Sequence, residues 1–285
     1  MSIGKPCGGQ ERINSKAEVK QRISLRNIFC IIAKQISYIL NTIKHIPNII
    51  TLANLTFGLF AIMLAFNDQL SMASYCILIG AFFDFFDGLS ARILKVSSDI
   101  GKQLDSLADI ITFGVAPSFI VFNLLIGFEK EFNFSQYVYA ILQNETHYYL
   151  PFLALLIPLF SALRLAKFNV DKNQTDSFTG LPTPANALFY IAIPIAIQYQ
   201  NDNVILQFLI EKEVLSFSVI LLCWLMNSKI KYIALKFKSL KSKDHFMQFI
   251  LIALSSILLL ILHFVAIPII ILLYTVLSLI NTLRK

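Results

Sequence analysis

The chain has 285 residues, of which 56% are hydrophobic, 13% aromatic and only 14% charged, with a mean hydropathy of +0.69 and a formal net charge of +7. So large an apolar share excludes an ordinary soluble domain. The four cysteines (Cys7, Cys30, Cys76, Cys223) are widely separated, three of them in apolar surroundings, and suggest no disulfide or zinc framework.

Residues 1–27 lack the compact apolar core and cleavage site of a secretory signal and read as a flexible basic tail. The following "IFCIIAKQISYILNTIKHI", residues 28–46, sets Lys34 and Lys44 among apolar residues in a helical rhythm. That pattern suits an amphipathic helix lying on the cytoplasmic interface before Pro47 turns the chain inward, or else a short additional core helix.

From there the chain is a series of apolar stretches, each near the ~20 residues that cross a bilayer core. They are Ile49–Phe66, Met72–Leu94, Leu104–Phe128, Leu150–Phe168, Ala185–Tyr199, Leu209–Met226, Phe246–Leu262 and Ala266–Leu283. The expectation is an all-α integral membrane protein of about eight transmembrane helices, or six to seven if the short fifth stretch and the sixth, which begins beside "EKE", are not crossings. Residues 47–200 would form a catalytic transmembrane core and residues 201–285 a set of C-terminal helices. The last two stretches as one helix would reach roughly 57 Å at 1.5 Å per residue, more than one bilayer, so a hairpin is expected near His263–Pro268.

Basic residues give the orientation. With this topology 22 of the 24 lysines and arginines fall in the N-terminal segment, the C-terminus and the loops of one face, leaving Lys130 and Lys212 opposite. Both termini and that face are therefore expected in the cytoplasm, with anionic lipid headgroups as counter-charge; the basic balance calls for no nucleic acid.

Two aspartates in "FFDFFDGLSAR", Asp84 and Asp87, lie i, i+3 on one helical face at membrane depth, where charge is costly. A second pair, Asp105 and Asp109 in "GKQLDSLADIITFG", lies i, i+4 on the next helix. A short connection makes these helices antiparallel, so all four carboxylates meet at one end. They would repel one another unless a cation sat among them. An all-oxygen ligand set without His or Cys points to a hard ion, Mg²⁺ or Mn²⁺, with a second ion or Ca²⁺ as alternatives. Gly88, Ala91 and Gly101 leave room for a close backbone or ligand, and Arg92, one turn beyond Gly88, carries a fork suited to phosphate.

The stretch "DFFDGLSARILKVSSDIGKQLDSLAD", Asp84 to Asp109, resembles the CDP-alcohol phosphatidyltransferases at all eight fixed positions of D-x2-D-G-x2-A-R-x8-G-x3-D-x3-D. The resemblance implies a membrane enzyme that moves a phosphatidyl group from a CDP-linked lipid to an alcohol and releases CMP. It also implies that Asp84, Asp87 and Asp105 are metal ligands, and that Asp109 is the general base as well as being close to the metal. Gly88, Arg92, Ser98 and Gly101 would contact the nucleotide diphosphate. "PNIIT" (Pro47 to Thr51) resembles the family's first-helix segment, which makes Asn48 and Thr51 further contacts to the CDP moiety.

Three more stretches resemble the phosphatidylserine synthase branch: "DSLADIITFGVAPS", "RLAKFN" and "FTGLPTPANA". They imply CDP-diacylglycerol as donor, L-serine as acceptor and a homodimer. Arg164 and Lys167 are candidates for the acceptor's carboxylate, or else serve as cytoplasmic anchors. Lys167 departs from the branch's "RLARFN" and would keep the charge while losing the fork geometry. "GLPTP" reads first as a turn and second as a pocket wall. Glycerol 3-phosphate is the rival acceptor within the family. A divalent-cation transporter or channel is the rival outside it, and it leaves Gly88, Ala91, Arg92 and Gly101 unexplained.

Overall fold

The computed structural model describes residues 45–96, 98–127, 139, 142–143, 146–170, 178–233 and 246–283. The expected tail and interfacial helix lie outside these residues, apart from positions 45 and 46. Helix α1 spans Ile46–Phe66, with Pro47 in its first turn, where a missing N–H leaves no bond unmade. A tight turn through Asp68 (φ 57°) reverses the chain into α2, Leu70–Leu94, which packs along α1 as an antiparallel hairpin. Lys95, in the left-handed region (φ 51°), ends α2.

The next helix is continuous in path but not in type. Helix α3 (Asp99–Asp109) passes into a π turn at Ile110–Val115 and then into α4 (Ala116–Ile126). At the π turn Thr112 seats itself between α1 and α2. A Cβ on Gly58 would lie 2.5 Å from Thr112 Oγ1, and one on Gly80 would lie 2.7 Å from its methyl. The Thr112 hydroxyl donates to the Asn54 carbonyl at 3.2 Å. Small residues thus let three helices meet directly beyond the carboxylates. Ala61, Ala65, Ala73 and Ala116 continue that close packing around Ile77, Phe113 and Ile120.

A 3₁₀ stretch, Thr146–Leu155, leads into α5, Leu156–Val170. Helix α6, Thr183–Gln200, is buried along most of its length and forms the inner post of the bundle. The second core gathers Phe189, Tyr190 and Ile193 of α6 against Val121, Ile157, Val219 and Leu222. The sixth predicted stretch is broken. Glu211 leaves the helical path (φ −56°, ψ 132°), separating α7 (Val204–Ile210) from α8 (Lys212–Met226). The "EKE" that made this stretch doubtful as a crossing is where the helix breaks.

Two two-residue strands also stand outside an all-helical expectation: β1, Phe178–Thr179, pairs antiparallel with β2, Lys231–Tyr232. Gly180 adopts φ 78°, and a side chain there would collide with the Met226 carbonyl, so "GLPTP" docks its backbone on the end of α8. The Gly180 amide donates to Ile230 O at 2.9 Å and that of Leu181 to Leu225 O at 3.1 Å.

The final apolar run is divided as expected. Helix α9 (Phe246–Leu262) stops where His263 turns to φ 47°, and α10 (Ala266–Leu283) follows in contact with α9. Near its far end α10 holds β2, since Ser278 Oγ accepts from the Ile233 amide at 3.3 Å and Thr282 Oγ1 donates to Lys231 O at 3.1 Å.

Among the described residues, four helical stretches are long and apolar enough to cross a membrane: Ile46–Phe66, Asp99–Ile126, Tyr149–Val170 and Met247–Leu283. Large apolar side chains such as Phe82, Phe85, Phe217 and Leu260 face outward, as a lipid-embedded bundle requires. The molecule is an all-α integral membrane protein in outline, and four such stretches are fewer than the eight expected crossings.

Candidate active site

The helical phase of α2 and α3 decides which carboxylates meet. Asp84 on α2 and Asp105 and Asp109 on α3 each offer a carboxylate oxygen, and these atoms lie within 4.8 Å of one another. Asp87, one turn along from Asp84, stands beside this trio, close enough to interact electrostatically with Asp84 and Asp105. It is held from the other side by the Thr51 hydroxyl, which lies 2.7 Å from Asp87 Oδ2 and 3.0 Å from Pro47 O. The expected four-carboxylate cluster is thus a trio with a tethered fourth, because α1 reaches Asp87 first.

Asp109 Oδ1 is buried and has no hydrogen-bond partner among the described residues. An unpartnered buried carboxylate oxygen beside two more acids is unfavourable by itself, and an all-oxygen donor set of this kind fits a hard divalent cation. The residues present therefore suit a divalent metal ion.

Around the trio, the residues expected to contact a nucleotide diphosphate fall into two groups. A Cβ on Gly88 would meet nothing within 4 Å, and Arg92 is exposed one turn further on, so this face of α2 is open. Ser98 and Gly101 have a structural function as well. Ser98 Oγ caps α3 by accepting from the Gly101 amide at 2.9 Å. A Cβ on Gly101 would lie 2.9 Å from both Ser98 Oγ and Asn48 Oδ1, so Asn48 brings the start of α1 against the start of α3.

Arg164 and Lys167 lie on α5 near the end that faces the trio. Arg164 is 9% exposed; its Nη1 donates to Thr183 Oγ1 at 2.9 Å, while its buried Nε has no partner among the described residues. It is near enough to Asp109 to feel its charge. Lys167 is exposed and donates to Asn227 Oδ1 at 3.2 Å. Asn169 is more than a helix end: its Nδ2 donates to Ser106 Oγ at 2.8 Å, and its carbonyl accepts from Lys102 Nζ at 3.3 Å, fastening α5 to α3.

Both α5 cations line a cavity of about 250 Å³ whose other walls are Phe168, Thr179 and the segment Met226, Asn227, Ser228 and Lys229. That last segment was not legible as part of a site. Its polar residues follow an apolar span at the head of a basic loop, a pattern indistinguishable from membrane-side anchoring. Thr183 of "GLPTP" reaches Arg164, so the turn does support a pocket wall.

Comparison with known proteins agrees with this geometry. The family model for CDP-alcohol phosphatidyltransferase matches residues 44–235. A Bacillus subtilis protein named CDP-diacylglycerol–serine O-phosphatidyltransferase is 33% identical over 193 residues, covering 66% of this chain and 90% of that protein. A Helicobacter pylori protein of the same name is 33% identical over 195 residues, 68% of this chain and 73% of its own. A Saccharomyces cerevisiae protein, again so named, is 31% identical over 201 residues, 64% and 66% of the two chains. With the matched region spanning α1 to β2 and enclosing every carboxylate of the trio, the chain belongs to the CDP-alcohol phosphatidyltransferase family.

Proposed function

We propose that this protein transfers the phosphatidyl group of CDP-diacylglycerol to the hydroxyl of L-serine, giving phosphatidylserine and CMP. The observation that carries the reading is the meeting of Asp84, Asp105 and Asp109 from two helices, with one Asp109 oxygen unpartnered among the described residues. The names of the relatives support serine as the acceptor. Asp84, Asp105 and Asp109, with Asp87 beside them, would hold the divalent ion. When bound, such an ion supplies neutralisation of the pyrophosphate charge, which is needed most as CMP departs.

The chain's own residues do the rest. Asn48, Thr51, Gly88, Arg92, Ser98 and Gly101 surround the route by which a nucleotide diphosphate reaches the trio, with Arg92 offering its fork to phosphate oxygens. Arg164 and Lys167 hold the acceptor carboxylate, which leaves the serine hydroxyl directed at the trio. The hydroxyl oxygen forms a bond to the lipid-side phosphorus, the bond from that phosphorus to the bridging oxygen breaks, and the bridging oxygen leaves with CMP. The hydroxyl proton passes to the Asp109 carboxylate, which lies near enough to Arg164 to interact with its charge.

We place this chemistry at the cytoplasmic face, because Arg92, Lys95, Lys102, Lys167, Lys229 and Lys231 fall in the helix ends and connections on that side. The eight-helix topology puts α6 and α8 across the bilayer together with α2: α6 as a buried inner helix, α2 and α8 with apolar faces turned outward.

Purified protein in detergent micelles with CDP-diacylglycerol and labelled L-serine tests the reading. The expected result is serine-dependent CMP release that stops on chelation, returns with Mg²⁺ or Mn²⁺, and falls about 10²–10⁴-fold in Asp109→Asn. Robust use of glycerol 3-phosphate without incorporation of serine would overturn the acceptor, and ion flux without CMP release would overturn the enzyme.

A further inference from the structure

We infer that the segment Asn227–Lys229, at the end of α8, is the specificity wall of the acceptor pocket: Asn227 positions the Lys167 ammonium, and Lys229 completes the carboxylate site. This rests on the serine reading above and adds residues that the motifs did not reach.

The cavity is about 250 Å³, below the roughly 300–1,000 Å³ typical of pockets for drug-sized ligands. It suits a small acceptor and not the nucleotide-lipid donor. Three of its lining side chains are cationic: Arg164, Lys167 and Lys229. Arg164 is the buried member, and a guanidinium charge held that far from water is stabilised by an anion at its cavity edge. The site is thus built for negative charge on the acceptor.

Lysine alone would hold that charge loosely, since an ammonium on a four-carbon stem lacks the arginine fork's geometry. Asn227 supplies the missing orientation. Its Oδ1 accepts from Lys167 Nζ at 3.2 Å, while its Nδ2 donates to Phe160 O at 3.1 Å, so the amide is fixed to the same helix whose lysine it aims. The segment itself is held: the Asn227 and Ser228 amides donate to Trp224 O and Leu225 O at 3.2 Å each. The nearby acidic trio favours an acceptor with one carboxylate and an ammonium over a phosphate dianion.

The test compares acceptors in the full-length enzyme, using L-serine, L-serinamide, which lacks the carboxylate, and sn-glycerol 3-phosphate. In Asn227→Ala and, separately, in Lys229→Met, the KM for L-serine should rise at least tenfold, with the KM for CDP-diacylglycerol unchanged. The preference for L-serine over L-serinamide should shrink by a similar factor. Asn227→Ala added to Lys167→Met should cost little beyond Lys167→Met alone. Lys229 is exposed, so its variant tests the assignment even if Asn227→Ala fails to fold. A wild-type enzyme inert towards L-serine would overturn the acceptor reading and this assignment with it. A wild-type enzyme that uses L-serine, alongside variants that keep its KM and its preference, would overturn the assignment alone. Preferential use of sn-glycerol 3-phosphate that is lost in Lys229→Met would replace the carboxylate by a phosphate.

Discussion

At the scale of single residues, the site depends on which polar groups find partners and which do not. Thr51 ties Asp87 to α1 through a hydrogen bond to a carboxylate, an interaction of about 1.5–3 kcal/mol. Thr51→Val should therefore lower kcat/KM for the CDP-lipid by about tenfold or more, while Thr51→Ser should keep most of it. Steady-state kinetics on the two variants checks this, and equal losses would show that the hydroxyl does not matter. The aspartates were legible in the sequence because i, i+3 and i, i+4 spacing fixes a common face wherever a helix forms. Their inequality was not legible. That Asp87 is tethered to Thr51 while Asp109 Oδ1 has no partner among the described residues depends on how α1, α2 and α3 pack, and not on spacing. The Ser98 hydroxyl, expected from the motif as a ligand contact, also caps α3, which the motif did not reveal.

At the scale of elements, the carboxylates are held in register by the crossing of α1, α2 and the π turn. Thr112 occupies the notch left by Gly58 and Gly80, and a methyl at Gly58 would press against the Thr112 backbone as well as its hydroxyl. Gly58→Ala should destabilise the protein by about 1–3 kcal/mol, as overpacking does. Thermal unfolding in detergent should show the loss, with partial recovery in Gly58→Ala combined with Thr112→Ala; an unchanged melting temperature for the single variant would contradict the close packing. Helix positions along the chain were readable from apolar length, and the turn at His263 was foreseen from the excess length of the last run. The joint at Glu211 falls in the "EKE" that marked the sixth stretch as doubtful, whereas the π turn was hidden, because an apolar run does not record where backbone hydrogen bonding shifts. The pairing of β1 with β2 was hidden too. Two-residue strands carry no periodic signal, and their partners stand more than fifty residues apart.

At the scale of the whole molecule, one end of the bundle brings together the acidic trio, the cavity between α5 and the end of α8, and the cations Arg164, Lys167 and Lys229. The C-terminal helices, which carry no motif, contribute by support: α10 holds β2 through Ser278 and Thr282, and β2 in turn holds the strand that lines the cavity. The proposed orientation makes Lys95→Cys and Lys229→Cys reactive to a membrane-impermeant thiol reagent in inverted vesicles and protected in intact cells; the reverse pattern would invert the topology. The central claim, that Asp84, Asp105 and Asp109 share a divalent ion, is tested most directly by titrating Mn²⁺ into the purified protein and counting bound ions by their paramagnetic signal. The wild-type chain should bind at least one Mn²⁺ per chain, with affinity falling at least tenfold in Asp84→Asn and in Asp105→Asn. Equal Mn²⁺ binding in the wild type and both variants would contradict it.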